Sequence, residues 1–280
     1  MIRTSKKPNF NKRVIILLFL VQCLMISSLI RYSFGSSNHS LRTSSISILI
    51  YTQYADINNE LQNTKDSITA GYGAFVSEDL LDYNNLATEL QGHKIFLIPE
   101  QEFGNPPLFQ TIGENWKDIL YNFTYNGGIV ILLDGSGDSF HIFNSSELML
   151  IEGCVSNLDG NMLEVTALDD PLASHVYSTF NAPSATKSFI TSEVISVVEY
   201  NSNPVVIHKE IGNGHLILLG FDFFEVNADI NIILGNAISL GDNNSSDVIP
   251  GYEIFFIIGI SIISVGILIL RKKLLHINSN

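Results

Sequence analysis

The residues best suited to chemistry stand in one run, Asp134-Gly135-Ser136-Gly137-Asp138, directly after the apolar stretch Ile129 to Leu133. A hydroxyl between glycines at the end of a buried strand suggests a nucleophile elbow, in which a sharp turn lifts a serine above a sheet. That pattern needs glycine two residues to either side of the serine, and here positions 134 and 138 are both aspartate. Two flanking carboxylates also oppose ionisation of Ser136, so a serine hydrolase is not expected. His141, His175, His208 and His215 would supply a base only if folding brought one of them to the turn.

A second set is acidic. Asp56, Glu100, Glu102, Asp134 and Asp138 each lie in a segment that follows an apolar, strand-like run. If those strands are neighbours, all five carboxylates come to one sheet edge. Crowded carboxylates repel unless they are protonated or bridged by a cation, and oxygen-only ligands suit Ca²⁺ or Mg²⁺. No D-x-D-x-D-G spacing accompanies them, so a solvated rim with aspartates capping turns is the plainer expectation. Neither a metal nor a cofactor is therefore expected. Ligands of open α/β sheets bind outside the carboxyl ends of the strands. The expected ligand-binding residues are accordingly Asp134, Gly135, Ser136, Gly137 and Asp138, with Glu100 and Gln101.

The elements that must position these groups read as alternating strands and helices. Ile46 to Tyr51 is a first strand, Ile57 to Ile68 a short helix, and Tyr72 to Val76 a weaker second strand. Tyr83 to Leu90 carries apolar residues at helical spacing, and Gly92 ends it. Lys94 to Pro99 is a third strand. Gly113 to Tyr125 is a helix whose apolar face includes Trp116, and Gly128 to Leu133 is the strand that delivers Asp134. This order implies parallel strands joined by right-handed crossovers, with helices on both faces. Beyond Asp138, a short helix is expected over Ser146 to Gly153 and a strand over Met162 to Val165. The β-rich part then comprises Val194 to Tyr200, Val205 to Glu210 and His215 to Leu219, before a last helix over Asp229 to Leu240. Gly212 and Gly214 are expected to supply positive φ in the hairpin between the last two strands.

Outside residues 46–240 the composition changes. Val14 to Ile30 and Ile254 to Leu270 are 17-residue apolar runs, each about 26 Å long as a helix and so near the thickness of a hydrocarbon layer. The second is expected to span a membrane. The first is an uncleaved anchor or the apolar part of a signal peptide, with Ser33 and Gly35 suited to cleavage. Residues 31–45 read as a Ser-rich tether, 241–252 as a linker, 253–270 as the span and 271–280 as a basic tail. Residues 31–250 hold 7 of the 15 basic residues and 27 of the 28 acidic ones, a net charge of −20. The positive-inside tendency then puts both termini in the cytoplasm and residues 31–250 outside the cell membrane. So acidic a domain repels anionic surfaces, which excludes nucleic acid as a partner. Asn-X-Ser/Thr triplets at Asn38, Asn122, Asn144, Asn243 and Asn244 make the chain a glycoprotein candidate. Cys154 is the only cysteine of the middle region, so no internal disulfide holds it.

The segments LQGHKIFLIPEQE (Leu90–Glu102), NGGIVILLDGSGD (Asn126–Asp138), GNGHLILLGFDFF (Gly212–Phe224) and NIILGNAI (Asn231–Ile238) together resemble the class I glutamine amidotransferase-like fold. The likeness is to its degenerate, non-catalytic branch, here in a membrane-anchored surface protein. It covers roughly residues 46–240 and implies a flavodoxin-like or glutamine amidotransferase-like parallel sheet with flanking helices. Catalytic members carry a cysteine at the elbow after the equivalent strand. This chain has none there, and Cys154 comes some twenty residues too late, so the family's amide hydrolysis is not expected. The resulting expectation is a membrane-anchored extracytoplasmic module that binds a ligand or partner without chemistry. Its partners would be the lipid bilayer and an envelope protein or a carbohydrate. The alternatives are a metal-assisted hydrolase at the acidic sheet edge, or an accessory subunit of an envelope transporter.

Overall fold

The computed structural model describes residues 45–192, 195–225 and 227–242. Eleven strands and five α-helices lie along them, alternating through the first four strands, after which the last seven strands follow one another without an intervening α-helix. Strand β1 is Ile46–Tyr51, β2 Phe75–Leu80, β3 Ile95–Ile98 and β4 Ile129–Leu133. Then follow β5 Gly153–Val155, β6 Met162–Val165, β7 Thr179–Asn181, β8 Ser188–Ile190, β9 Ile195–Tyr200, β10 Asn203–Ile211 and β11 Gly214–Leu219. The helices are α1 Glu60–Gly71, α2 Leu86–Glu89, α3 Pro106–Tyr125, α4 His141–Ser145 and α5 Ala228–Ser239.

Nine strands form one sheet in the order β2-β1-β3-β4-β11-β10-β9-β6-β7, and β5 pairs with β8 apart from it. From β2 to β11 neighbouring strands are parallel; from β11 to β7 they are antiparallel. The sheet is therefore mixed, which corrects the expected parallel one. Strand β11 explains the switch. It returns beside β4 in parallel register, Ile217 against Ile131, but reaches that place from a hairpin with β10. The turn uses Gly212 at φ +62°. Gly214 is needed for another reason than positive φ, because a Cβ there would lie 2.2 Å from the carbonyl oxygens of Gly128 and Thr124.

Strands buried on both faces can be apolar at every position. In β4, Ile129, Ile131 and Leu133 face the layer of α1 and α5, while Val130 and Leu132 face that of α3 and α4. The anchor on the second face is Trp116 of α3, fully buried and edge-on to Tyr51 and Phe96, with its Nε1 donating to the Tyr83 carbonyl at 2.8 Å. Helix α3 begins earlier than its apolar spacing implied. Asn105 accepts from the Leu108 N–H at 3.1 Å as N-cap, and Pro106 and Pro107 occupy the first turn. The helix expected over Ser146 to Gly153 does not form. Helix α4 ends at Ser145, the Ser146 hydroxyl donates to the Phe143 carbonyl at 2.9 Å, and Glu147 takes φ +58°. Cys154 is half-buried in β5, against the α3 face of the core.

The expectation of transmembrane helices at both ends is corrected as well. Among the described residues no helix is long and apolar enough to cross a membrane. The runs Val14 to Ile30 and Ile254 to Leu270 lie outside the described residues. The fold class is thus a mixed α/β sheet with flanking helices, and the placement in a cell membrane, with residues 31–250 extracytoplasmic, falls with the spans that motivated it. Asn144, one of the glycosylation triplets, uses its side-chain amide to donate to the Ile151 carbonyl at 3.2 Å.

Helices α1 and α5 approach most closely at Gly71 and Gly235. A Cβ on Gly235 would sit 2.4 Å from the Gly71 carbonyl carbon, which is main chain and has little room to yield. Gly235→Ala is expected to cost about 1–3 kcal/mol by overpacking. The urea midpoint should fall without a change in slope.

Candidate functional site

The carboxyl edge of β1, β3 and β4 gathers most of the expected groups, and its geometry follows from how β4 ends. Leu133 is buried on both sides, so the turn after it has to satisfy its N–H groups within the protein. Two carboxylates do this. Asp134, fully buried, accepts from the N–H of Ser139 at 3.0 Å and of Phe140 at 3.3 Å. Glu100, from the loop after β3, accepts at Oε2 from the N–H groups of Gly135 and Ser136, both at 3.1 Å. The Ser136 hydroxyl donates to the other oxygen, Oε1.

Asp134 has a counter-ion that the sequence did not point to. Lys187, as deeply buried, sits with Nζ 3.4 Å from Asp134 Oδ2, donates to the Gly137 carbonyl and lies 5.6 Å from the centroid of the Phe140 ring. Burial pushes the Asp134 carboxyl up to about 7 against the opposing pull of Lys187, and Glu100 adds to the rise. Phe140 and Phe143 are both buried, so aromatic side chains fill the space beneath the turn.

A second group of carboxylates lies beside the first. Glu60, in the first turn of α1, is only 8 % exposed and its Oε2 makes no hydrogen bond. One oxygen each of Glu60, Glu100 and Glu102 lie within 4.8 Å of one another. Asp222, in the loop after β11, is buried and pressed against Gly135, where a Cβ would meet the Asp222 nitrogen at 2.3 Å. Burial first, and then Glu100, raises Glu60 to about 8 and Asp222 to about 6; the same two causes raise Glu102.

Several expected residues make other contacts, although Asp56 also adds to the rise of Glu60 and Glu102. Gln101 turns inward and ties loops together: its Nε2 donates to the carbonyls of Tyr51 at 3.1 Å and Pro99 at 2.7 Å, and its Oε1 accepts from the Tyr54 N–H at 3.3 Å. Asp56 accepts from the Asn58 N–H as a turn cap. Asp138 is exposed, and its carbonyl accepts from the His141 N–H at the start of α4. Glu60, Lys187 and Asp222 were missed. None of the three stands in a motif that marks it, and only the strand order brings them to this edge.

No histidine reaches Ser136 by a hydrogen bond among the described residues. His141 stacks on Phe140 with centroids 4.3 Å apart. His208 and His215 lie at the opposite end of the sheet, where His215 pairs with Ile129 at the start of β4. There they form a chain. Asp170 Oδ2 lies 2.8 Å from His208 Nδ1, and His208 Nε2 lies 2.9 Å from His215 Nδ1. A carboxylate only accepts, so the His208 proton sits on Nδ1 and its Nε2 accepts from His215. Asp170 and His208 also line a cleft of about 610 Å³ with Thr166, Leu168 and Glu210.

Two outcomes follow. Lys187→Met leaves Asp134 buried without its partner and should cost about 3–5 kcal/mol; adding Asp134→Asn should recover part of that loss, as a double-mutant cycle in urea would show. His215 is held below its usual value by burial and then by His208. A lowered histidine leaves stability intact above its unfolded value of about 6.5 and removes it as pH falls through the lower folded value. Between pH 7 and 5 the urea midpoint should therefore drop more for the natural chain than for His215→Gln.

No protein-family model matches the chain, and no curated protein matches it in sequence. Among solved structures it is similar to two cytoplasmic proteins of Salmonella typhimurium. STM1381 aligns with TM-score 0.50 and 9% identity over 70% of this chain and 98% of that one. STM3548 aligns with TM-score 0.50 and 10% identity over 69% and 97%. A protein of Bacteroides uniformis described as ThuA-like aligns with TM-score 0.48 and 16% identity over 72% and 93%. At such identities the likeness is one of fold alone, that of a mixed α/β sheet with flanking helices.

Proposed function

We propose that the chain is a ligand-binding module without catalytic activity, with its binding face at the carboxyl edge of β1, β3 and β4. One observation carries this reading. Glu100 engages the Gly135 N–H, the Ser136 N–H and the Ser136 hydroxyl together. Acyl transfer at such a turn needs a nucleophile activated by a base and main-chain N–H donors free for the developing oxyanion. Here the donors already hold a carboxylate. The hydroxyl points at the same group, whose negative charge would repel an oxyanion. The missing elbow cysteine agrees with this, and so does the absence of a hydrogen-bonded histidine at Ser136 among the described residues.

What remains is an acidic edge that includes the exposed Ser136, Asp138, Glu102 and Phe103. Its charge favours ligands that are cationic or that present themselves through a cation, and it disfavours phosphates and nucleic acid. A protein partner or a carbohydrate fits this chemistry better than an anion. The test is a turnover panel of ester, amide, phosphoester and glycoside substrates on the full chain, with Glu100→Gln and Ser136→Ala beside it. All three proteins should match the uncatalysed rate. Turnover by the natural chain that either substitution abolishes would overturn the proposal.

A further inference from the structure

We propose that Glu60, Glu100 and Glu102 bind a hard divalent cation of the Ca²⁺ or Mg²⁺ class. This names a ligand for the binding face described above and rests on that reading for its function, though not for its geometry. The three carboxylates come from two loops that the sheet order makes neighbours. Glu60 opens α1 after β1, and Glu100 and Glu102 follow β3, which pairs with β1 at Ile48 and Ile95. One oxygen from each lies within 4.8 Å of the other two. Oxygens on opposite sides of a Ca²⁺ ion, each at about 2.4 Å, are separated by about that distance.

Crowded acids alone would not mark a site. The independent observation is Glu60, which is more than nine-tenths buried and holds Oε2 out of contact with water and with every hydrogen-bond donor among the described residues. A buried carboxylate oxygen without a partner is costly, and the groups it shares this space with are acceptors as well. Side-chain cations do not relieve it. Lys187 is engaged by Asp134 and the Gly137 carbonyl, Lys65 by Asp79 and Lys117 by Glu147. A cation bridging these oxygens relieves the burial and mutual repulsion that otherwise raise the Glu60 and Glu102 carboxyls.

The three ligands also differ in the way a site needs. Glu100 is fixed by the two N–H groups and the hydroxyl of the elbow, so it is oriented before a cation arrives. Glu60 is fixed by its burial at the start of α1. Glu102 is exposed at the rim, so one of the three ligands comes from a solvent-facing side chain. An incomplete protein shell of this kind suits a cation that keeps several waters and can pass one position to a ligand's hydroxyl or carbonyl oxygen.

The test is calorimetric titration of the full chain, stripped with chelator, at pH 7.5 with CaCl₂ and MgCl₂ in separate experiments. One site per chain with a dissociation constant on the order of 10⁻⁵ to 10⁻³ M is expected for one or both ions. Glu60→Gln and Glu102→Gln should each weaken binding at least tenfold, whereas Glu164→Gln, an exposed acid on β6, should not. Glu102 is at the rim, so its variant tests the site even if Glu60→Gln disturbs the fold. No heat with either ion, or heat unchanged in both variants, would overturn the cation site. Repeating the turnover panel with each ion separates the two proposals. Binding without turnover supports both. No binding and no turnover removes the cation alone. Cation-dependent turnover keeps the site and overturns the non-catalytic reading.

Discussion

A central strand buried on both faces cannot end in water, and that constraint organises the carboxyl edge of this protein. Once β4 stops at Leu133, the chain must turn while the buried N–H groups of Gly135, Ser139 and Phe140 still need acceptors within the protein. The Asp134 N–H still donates to the Leu219 carbonyl of β11 at 2.9 Å, but those of Gly135, Ser136, Ser139 and Phe140 have no strand to pair with. Two carboxylates accept all four. Charge at this edge is thus first a structural device for closing the turn, and any functional reading has to start from what that device leaves over.

What it leaves over is unequal. Asp134 is matched by Lys187, which lies 53 residues further on and enters from the segment that begins β8. The Lys187 main chain is bound there too, its N–H donating to the Gly220 carbonyl at 2.8 Å just after β11. The pair therefore ties the segment that opens the separate β5–β8 pair to the elbow after β4. Removing one partner would strand a buried charge, whereas replacing both together would not. Among the described residues no lysine forms an ion pair with Glu100. Its charge is spread over three donors on one side and meets Glu60 and Glu102 on the other. Asp222 adds to the same field.

The sequence revealed those parts of this arrangement that are local. β3 and β4 are uninterrupted apolar runs, β1 and β11 are apolar with one polar break or start, and the pattern locates these four to within a residue or so. β2 is different. Its burial alternates poorly because it is the sheet edge, and it starts only after Gly73 at φ +117°, three residues past the expected beginning. β5, β7 and β8 are three residues each, too short for any period to show. The acidic edge was legible as a set of loops, since Glu100, Glu102 and Asp134 follow readable strands. Its decisive members were not. Glu60 reads as the polar face of a short helix, Lys187 as one lysine in a polar stretch, and Gln101 as a ligand group when it is a brace between loops. Partnership across tens of residues leaves no mark on the local pattern of either partner.

The same reasoning explains why a catalytic-looking turn supports a binding role. Consecutive N–H groups at a strand-to-helix turn form a natural cradle for an anion. A hydrolase leaves that cradle open for charge that develops during reaction. Here a resident carboxylate fills it, and Glu100 cannot leave without depriving the buried Gly135 N–H of its acceptor. Filling the cradle also fixes the direction of the Glu100 charge. The side turned away from the elbow becomes a preorganised acceptor facing Glu60, so the constraint that closes the turn against an oxyanion is also the one that makes its neighbourhood complementary to a cation.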